Sequence, residues 1–358
     1  MTASPNKVVL VEDSPVALEI LQRLLDSSPE VAVVGTARNG QEALDVITTT
    51  KPDVICTDLM MENMDGLELT QHVMASDPRP ILVISNFVQK TDVDNVFRLL
   101  QAGAVDVFPK PTTGSPTDYE RLKAALVTKI KVLSGMRVTA KQQSQFQNLS
   151  VKPIKSEPFN TVPLITNLTS HIRVIAIGAS TGGMQAIQHI LQQLPMNFPL
   201  PILCTLHVSE GMLPGLVSWL SDTCSVRVKI AEPGETPLPG TVYFAPEKNH
   251  LELNAQGNFI DSKCKATEKH CPSISAMFNS VAQSYGRSAA AVLLKGIGSD
   301  GAAGLQAISQ AGGLTIAQNQ QGASPFGMVK EAIALDAVQQ LLSTEEIPPF
   351  LLNTICGN

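Results

Sequence analysis

Residues 7–25 read KVVLVEDSPVALEILQRLL, a β-branched apolar run closed by two carboxylates and followed by apolar residues at helical spacing. The first part suits a buried strand and the second an amphipathic helix. The unit recurs. VAVVGTA, DVICTD, PILVIS and AVDVFPK supply further strands, and GQEALDVIT, MDGLELTQHVMA, VDNVFRLLQAGA and DYERLKAALVTKI the helices that follow them. Five strands, each trailed by a helix, predict an α/β fold of the doubly wound, flavodoxin-like kind, with a parallel sheet. In such sheets the chemistry lies beyond the carboxyl ends of the strands.

The chain has 358 residues, of which 44% are hydrophobic, so it can bury the cores of two domains. A net charge of -6, with no clustered Lys and Arg, argues against a nucleic-acid surface. The first residues, MTASPNKVVLVED, show no export signal, and no apolar run reaches the length of a membrane span, so a cytoplasmic protein without membrane insertion is expected. Six cysteines, Cys56, Cys204, Cys224, Cys264, Cys271 and Cys356, lie scattered without a CxxC pair. They are read as mostly buried thiols rather than as a disulfide or metal framework.

The strand ends of the first half are acidic. Glu12 and Asp13 close the first strand and Asp58 the third. One such carboxylate commonly caps a helix, but three converging on one edge repel each other unless a cation sits among them. Hard oxygen ligands suit Mg²⁺. Ser85 ends the fourth strand and Lys110 the fifth, bringing a hydroxyl and a fixed positive charge to an edge where one carboxylate could accept a phosphoryl group.

Residues 134–170 are rich in Gln, Ser, Thr, Asn and Pro without a sustained apolar period, and read as a linker. Beyond them the alternation resumes with RVIAIGA, PILCTLHV, SVRVKI, TVYFAP, HLELN, AAAVLLKGIG and GLTIAQ. These predict a second, Rossmann-like α/β domain, with an antiparallel ribbon where TVYFAPEKNHLEL and NFI fall close together.

Within it, GASTGG at 178–183 turns from strand to helix. A dinucleotide site needs GxGxxG and an acidic residue after the next strand, but the glycine spacing differs and His207 stands at that strand end. A P-loop needs a lysine that is absent. The remaining reading is an exposed nucleophile, Ser180, with His207 as base and Asp300, in GIGSDGAAG, to orient it. A serine is a poor nucleophile until an imidazole takes its proton, and the imidazole needs a carboxylate to fix its tautomer. His72 and His189 fall within predicted helices, His171 and His270 in loops, and His250 at a strand start is a weaker rival for the base. The glycines beside Ser180 leave helix N–H groups free to hold an oxyanion.

VLVEDS, CTDLMMENMDGLEL, ILVISN and GAVDVFPKP together resemble the receiver domain of two-component response regulators. The resemblance implies Asp58 as phospho-acceptor, Glu12, Asp13 and Asp58 as Mg²⁺ ligands, Ser85 as switch hydroxyl and Lys110 as phosphate contact. Val107 replaces the usual switch aromatic, with Phe108 beside it, and Glu62 replaces the usual acceptor-loop proline. AIGASTGG, LHVSEGMLPGLVSWL, YFAPEKNHLEL, CPSISAMFNSVA, GIGSDGAAGL and GASPFGM resemble, in order, the catalytic domain of chemotaxis protein-glutamate methylesterases. That resemblance implies Ser180, His207 and Asp300 as catalytic residues, Thr181 as an active-site and oxyanion neighbour, and the N–H of Ile297 as an oxyanion donor. Ile297 stands where methionine is usual, in LKGIG with Lys295. The expected layout is a receiver over 5–133, a linker over 134–170 and a catalytic domain over 171–358. The expected function is phosphorylation-controlled hydrolysis of glutamate methyl esters on chemoreceptors, with deamidation of their glutamines, no cofactor for the esterase, and a chemotaxis histidine kinase as phosphodonor. The alternative, a phosphorylation-controlled binding module with an inactive esterase, would need a damaged triad, and all three residues are present.

Overall fold

In the computed structural model, residues 4–85, 90–111, 116–138, 171–319 and 327–355 are described. The chain divides into two compact units, Met1–Lys152 and Pro153–Asn358. Most of the expected linker, 139–170, and residues 322–326 of the GASPFGM motif lie outside the described residues.

The first unit alternates β1 (Asn6–Val11), α1 (Pro15–Asp26), β2 (Val31–Ala37), α2 (Gly40–Thr50), β3 (Val54–Thr57), α3 (Gly66–Ser76), β4 (Ile81–Ser85), α4 (Lys90–Ala102), β5 (Asp106–Pro109) and α5 (Pro116–Ser134). The sheet runs β2-β1-β3-β4-β5, all parallel. Local chemistry sets the helix starts. Ser14 accepts from the Ala17 N–H just before Pro15, and Asp65 and Glu68 form a reciprocal capping box on α3. An added Cβ on Gly66 would meet the Asp58 carbonyl oxygen at 2.2 Å, so only glycine lets α3 begin this close to the acidic strand end.

Val8, Leu10, Cys56, Leu82 and Ile84 pack with Phe108 and with Leu126, Val127 and Ile130 of α5. Phe108 is therefore a core side chain of the α5 face. Phe108→Ala is expected to destabilise this unit by about 3–5 kcal/mol, the range for removing a buried phenyl ring, read as a fall in the midpoint of its thermal unfolding.

The second unit contributes β6 (Val174–Ala179), α6 (Met184–Gln192), β7 (Ile202–Leu206), α7 (Leu213–Thr223), β8 (Arg227–Ile230), β9 (Thr241–Phe244), β10 (Asn249–His250), β11 (Ser262–Lys263), α8 (Ile274–Tyr285), β12 (Ala289–Leu293), α9 (Ala302–Gln310), β13 (Leu314–Gln318), α10 (Gly327–Ala334) and β14 (Gln340–Leu342). Seven strands form a parallel sheet in the order β14-β13-β12-β6-β7-β9-β8. β6, β7, β9 and β12 are buried along their whole lengths, as strands covered by helices on both faces must be.

Two expectations are corrected. TVYFA does not join an antiparallel ribbon: β9 is wholly buried and pairs in parallel with β7 and β8. The ribbon forms where HLEL and NFI were expected to meet, with a bridge from Leu253 to Phe259, and continues in the antiparallel pair β10 and β11. The cysteines are not all thiols, because Cys264 and Cys271 form a disulfide with their Cα atoms 5.8 Å apart. The segment between β11 and α8 folds back on itself and brings together cysteines that no short motif pairs. Cys56, Cys204 and Cys224 are thiols as expected, and burial pushes Cys56 up to about 12; Cys356 lies outside the described residues. No helix among the described residues is long and apolar enough to cross a membrane.

Candidate functional site

β12, β6 and β7 are neighbours in the sheet, and Ser180, His207 and Asp300 follow their carboxyl ends. Backbone bonds fasten these ends together. Leu294 donates to the Gly178 carbonyl at 2.8 Å, Ser180 to the Lys295 carbonyl at 3.3 Å, and His207 to the Ala179 carbonyl at 3.1 Å. An added Cβ on Gly296 would lie 2.6 Å from Ser180 Cβ and 2.3 Å from Met328 Sδ, so the approach of this loop to the serine depends on glycine. Gly182, at φ +73°, turns the chain from Ser180 into α6.

Ser180 is buried, and its Oγ lies 3.2 Å from His207 Nδ1. The opposite ring nitrogen, Nε2, lies 3.0 Å from Asp300 Oδ2. Asp300 sits at the start of α8, where its carboxylate accepts from the N–H groups of Ile274 at 2.7 Å and Ser275 at 3.0 Å, from Gly301 N–H at 2.9 Å and from Ser273 Oγ at 3.0 Å. Burial alone would raise its pKa, but the bonds from His207, Ser275 and Ile274 outweigh burial and hold it well below the usual carboxylate range. An ionised Asp300 is acceptor-only, so Nε2 must carry the imidazole proton and Nδ1 is left to accept from the Ser180 hydroxyl. That is the arrangement a general base requires.

Thr181 is buried beside Ser180. Among the described residues the N–H groups of Thr181 and Ile297 have no backbone acceptor, which leaves both as donors for an anion.

His250, the rival base, is engaged elsewhere. Its Nδ1 accepts from Ser273 N–H at 3.0 Å and its Nε2 lies 2.9 Å from Glu268 Oε2. Reading the sequence missed a partner, since His270 stacks on His207 with ring centroids 4.8 Å apart and planes 2° from parallel.

In the first unit, Glu12, Asp13 and Asp58 present oxygen atoms that all lie within 4.8 Å of one another. Lys110 Nζ donates to Glu12 Oε1 at 2.9 Å and to Asp58 Oδ2 at 2.8 Å. Burial raises the pKa of both Glu12 and Asp58 despite this lysine, whose own pKa rises because their hydrogen bonds outweigh the cost of burying it. Glu12 Oε2 is buried without a hydrogen-bond partner among the described residues, so the site fits a further cation bound through oxygen. Ser85 is buried at the end of β4, its carbonyl accepting from the Lys110 N–H at 3.4 Å. Val107 is buried where an aromatic switch is usual.

Comparison with known proteins covers both units. The family described as CheB methylesterase matches residues 175–351, and the response regulator receiver domain family matches residues 8–120. A protein-glutamate methylesterase/protein-glutamine glutaminase from Syntrophus aciditrophicus is 38% identical over 346 residues, covering 97% of this chain and 97% of its own. Another from Nitrosospira multiformis is 36% identical over 348 residues, covering 97% of this chain and 96% of its own. The solved catalytic domain of the CheB methylesterase from Thermotoga maritima is 34% identical, with a TM-score of 0.49, and covers 51% of this chain and 98% of its own.

Proposed function

Since this chain belongs to the CheB methylesterase family, with a response regulator receiver domain ahead of the hydrolase unit, we propose that Ser180, His207 and Asp300 catalyse its ester hydrolysis under control of Asp58. It is a carboxylic ester hydrolase, a protein-glutamate methylesterase and protein-glutamine glutaminase serving sensory adaptation. The observation that carries the catalytic assignment is the unbroken run of hydrogen-bond contacts from Ser180 through His207 to Asp300.

Ser180 Oγ attacks the carbonyl carbon of a glutamate methyl ester on a chemoreceptor while His207 Nδ1 takes the hydroxyl proton. The imidazolium is stabilised by Asp300, and the oxyanion by the N–H groups of Thr181 and Ile297. Collapse of the tetrahedral intermediate breaks the bond to methoxide, which leaves as methanol with the proton from His207. Water, deprotonated by His207, then attacks the acyl-serine, releasing the receptor glutamate and restoring Ser180. With a glutamine substrate the same sequence releases ammonia.

In the receiver, Glu12, Asp13 and Asp58 would hold Mg²⁺, which when bound neutralises charge on the transferred phosphoryl group. Asp58 is the acceptor, a histidine kinase the phosphodonor, and Lys110 and Ser85 contact the phosphoryl oxygens. Asp58→Asn is expected to abolish labelling by radioactive acetyl phosphate, and chelation of Mg²⁺ to do the same with the native chain. Stable labelling of the Asn variant would place the acceptor elsewhere. The function itself is tested by methanol release from methylated receptor membranes with and without acetyl phosphate. Release that the phosphodonor does not change would sink the proposed control.

A further inference from the structure

We propose that His270 is a positioning residue for the hydrolase, a stacked ring that fixes the plane of the His207 imidazole; this rests on the catalytic reading of Ser180, His207 and Asp300. The two contacts to Ser180 and Asp300 leave from opposite edges of the imidazole. They hold the ring at its edges and make no contact with its faces. Small rotations about the Cα–Cβ and Cβ–Cγ bonds would keep both partners within reach while turning the lone pair on Nδ1 off the Ser180 O–H direction. A ring lying 2° from parallel against one face, with centroids 4.8 Å apart, removes that freedom and shields the same face from water.

The segment that carries His270 is itself held at both ends. Cys271, the next residue, is joined to Cys264, and Ser273 both caps α8 and donates to Asp300. His270 is thus tied to the carboxylate that orients His207 on the other side. Charge matters as well as shape, because His207 becomes cationic in the transition state and a second cation stacked on it would oppose that. The charged or titratable groups that act on His270 are His207, Asp300 and Lys269. Burial, followed by the neighbouring His207 and Lys269, lowers its pKa against the opposing pull of Asp300, which favours the neutral form of the stacked ring.

The test uses the full-length chain and a serine-directed fluorophosphonate, whose attachment to Ser180 reports nucleophile activation without a receptor substrate. His270→Ala is expected to lower the maximal labelling rate about tenfold, with the half-saturating probe concentration unchanged, because the lost stack acts on the reacting ring. His270→Phe, which restores a neutral ring, is expected to recover the rate to within about threefold of native. His270→Arg should stay slow and move the acid limb of the pH–rate profile to lower pH, since a permanent cation disfavours protonation of His207. That shift reports the charge placed against His207, while recovery of rate by His270→Phe with an unchanged profile reports the stacked ring itself. Thermal unfolding of each variant separates loss of fold from loss of rate. A folded His270→Ala chain labelled within a factor of about two of native, or a folded His270→Phe chain as slow as Ala, overturns the inference. No labelling of Ser180 in the native chain would overturn the hydrolase reading, and this inference with it.

Discussion

Ser180→Ala is expected to reduce methanol release from methylated receptor membranes by about 10⁴–10⁶-fold, and His207→Ala by a similar factor. The double substitution should cost little more than either alone. Without the hydroxyl there is no proton for Nδ1 to accept, and without Nδ1 the hydroxyl stays a weak nucleophile, so each loss makes the other group idle. The residual rate comes from the N–H donors and from substrate binding. Because Ser180 packs against Gly296, the alanine variant loses one oxygen atom without enlarging any side chain, and its unfolding midpoint should match that of the native chain. A folded Ser180→Ala chain with near-native methanol release would end the catalytic assignment.

The second large effect is expected at Asp300, where Asp300→Asn should lower kcat by about 10⁴-fold with little change in KM. An amide N–H directed at His207 Nε2 would force that nitrogen to accept, placing the ring proton on Nδ1, where it faces Ser180 and prevents the ring from acting as base. The same change removes an anion from a site with four further donors, Ile274, Ser275 and Gly301 N–H and Ser273 Oγ. Stability should therefore fall too. The sign follows from the depressed pKa of Asp300: its stabilisation is complete above the pKa it has in the unfolded chain, about 4, and is lost as pH falls through the lower value it has in the folded chain. The native protein should lose stability in acid more steeply than the Asn variant. Equal acid sensitivity of the two would mean that the carboxylate is not held as an anion.

The alternation of apolar runs with helical spacing was enough to specify both parallel sheets, since each strand with its helix announces itself locally. The acidic edge was legible for the same reason, because Glu12, Asp13, Asp58 and Lys110 stand where their strands stop. The triad residues follow the ends of three strands that prove to be neighbours, yet nothing local states that β12 and β7 flank β6. The limits have physical causes. β14 is a short, partly exposed edge strand whose three residues carry little pattern. β9 and the ribbon after it were merged because a buried parallel strand and an antiparallel one look alike over four residues. The Cys264–Cys271 bond and the His270 stack arise from one loop folding back on itself, which no periodicity encodes. Which of Val107 and Phe108 packs on α5 was not legible either: neighbouring strand residues face opposite sides of a sheet, and the phenyl ring belongs to the α5 core.

The strand order has a consequence for the life of the chain during its synthesis. β6 and β7 leave the ribosome early, carrying Ser180 and His207, while β12, which must lie on the other side of β6, arrives more than eighty residues later with Lys295 and Asp300 close behind. Until then Ser180 lacks the carbonyl that anchors its backbone, and His207 lacks the carboxylate that sets its tautomer. A nascent or truncated chain ending before β12 therefore carries a serine and a histidine but no hydrolase. The site is completed in a late step, when β12 pairs with the free edge of β6 and brings Lys295 and Asp300 with it.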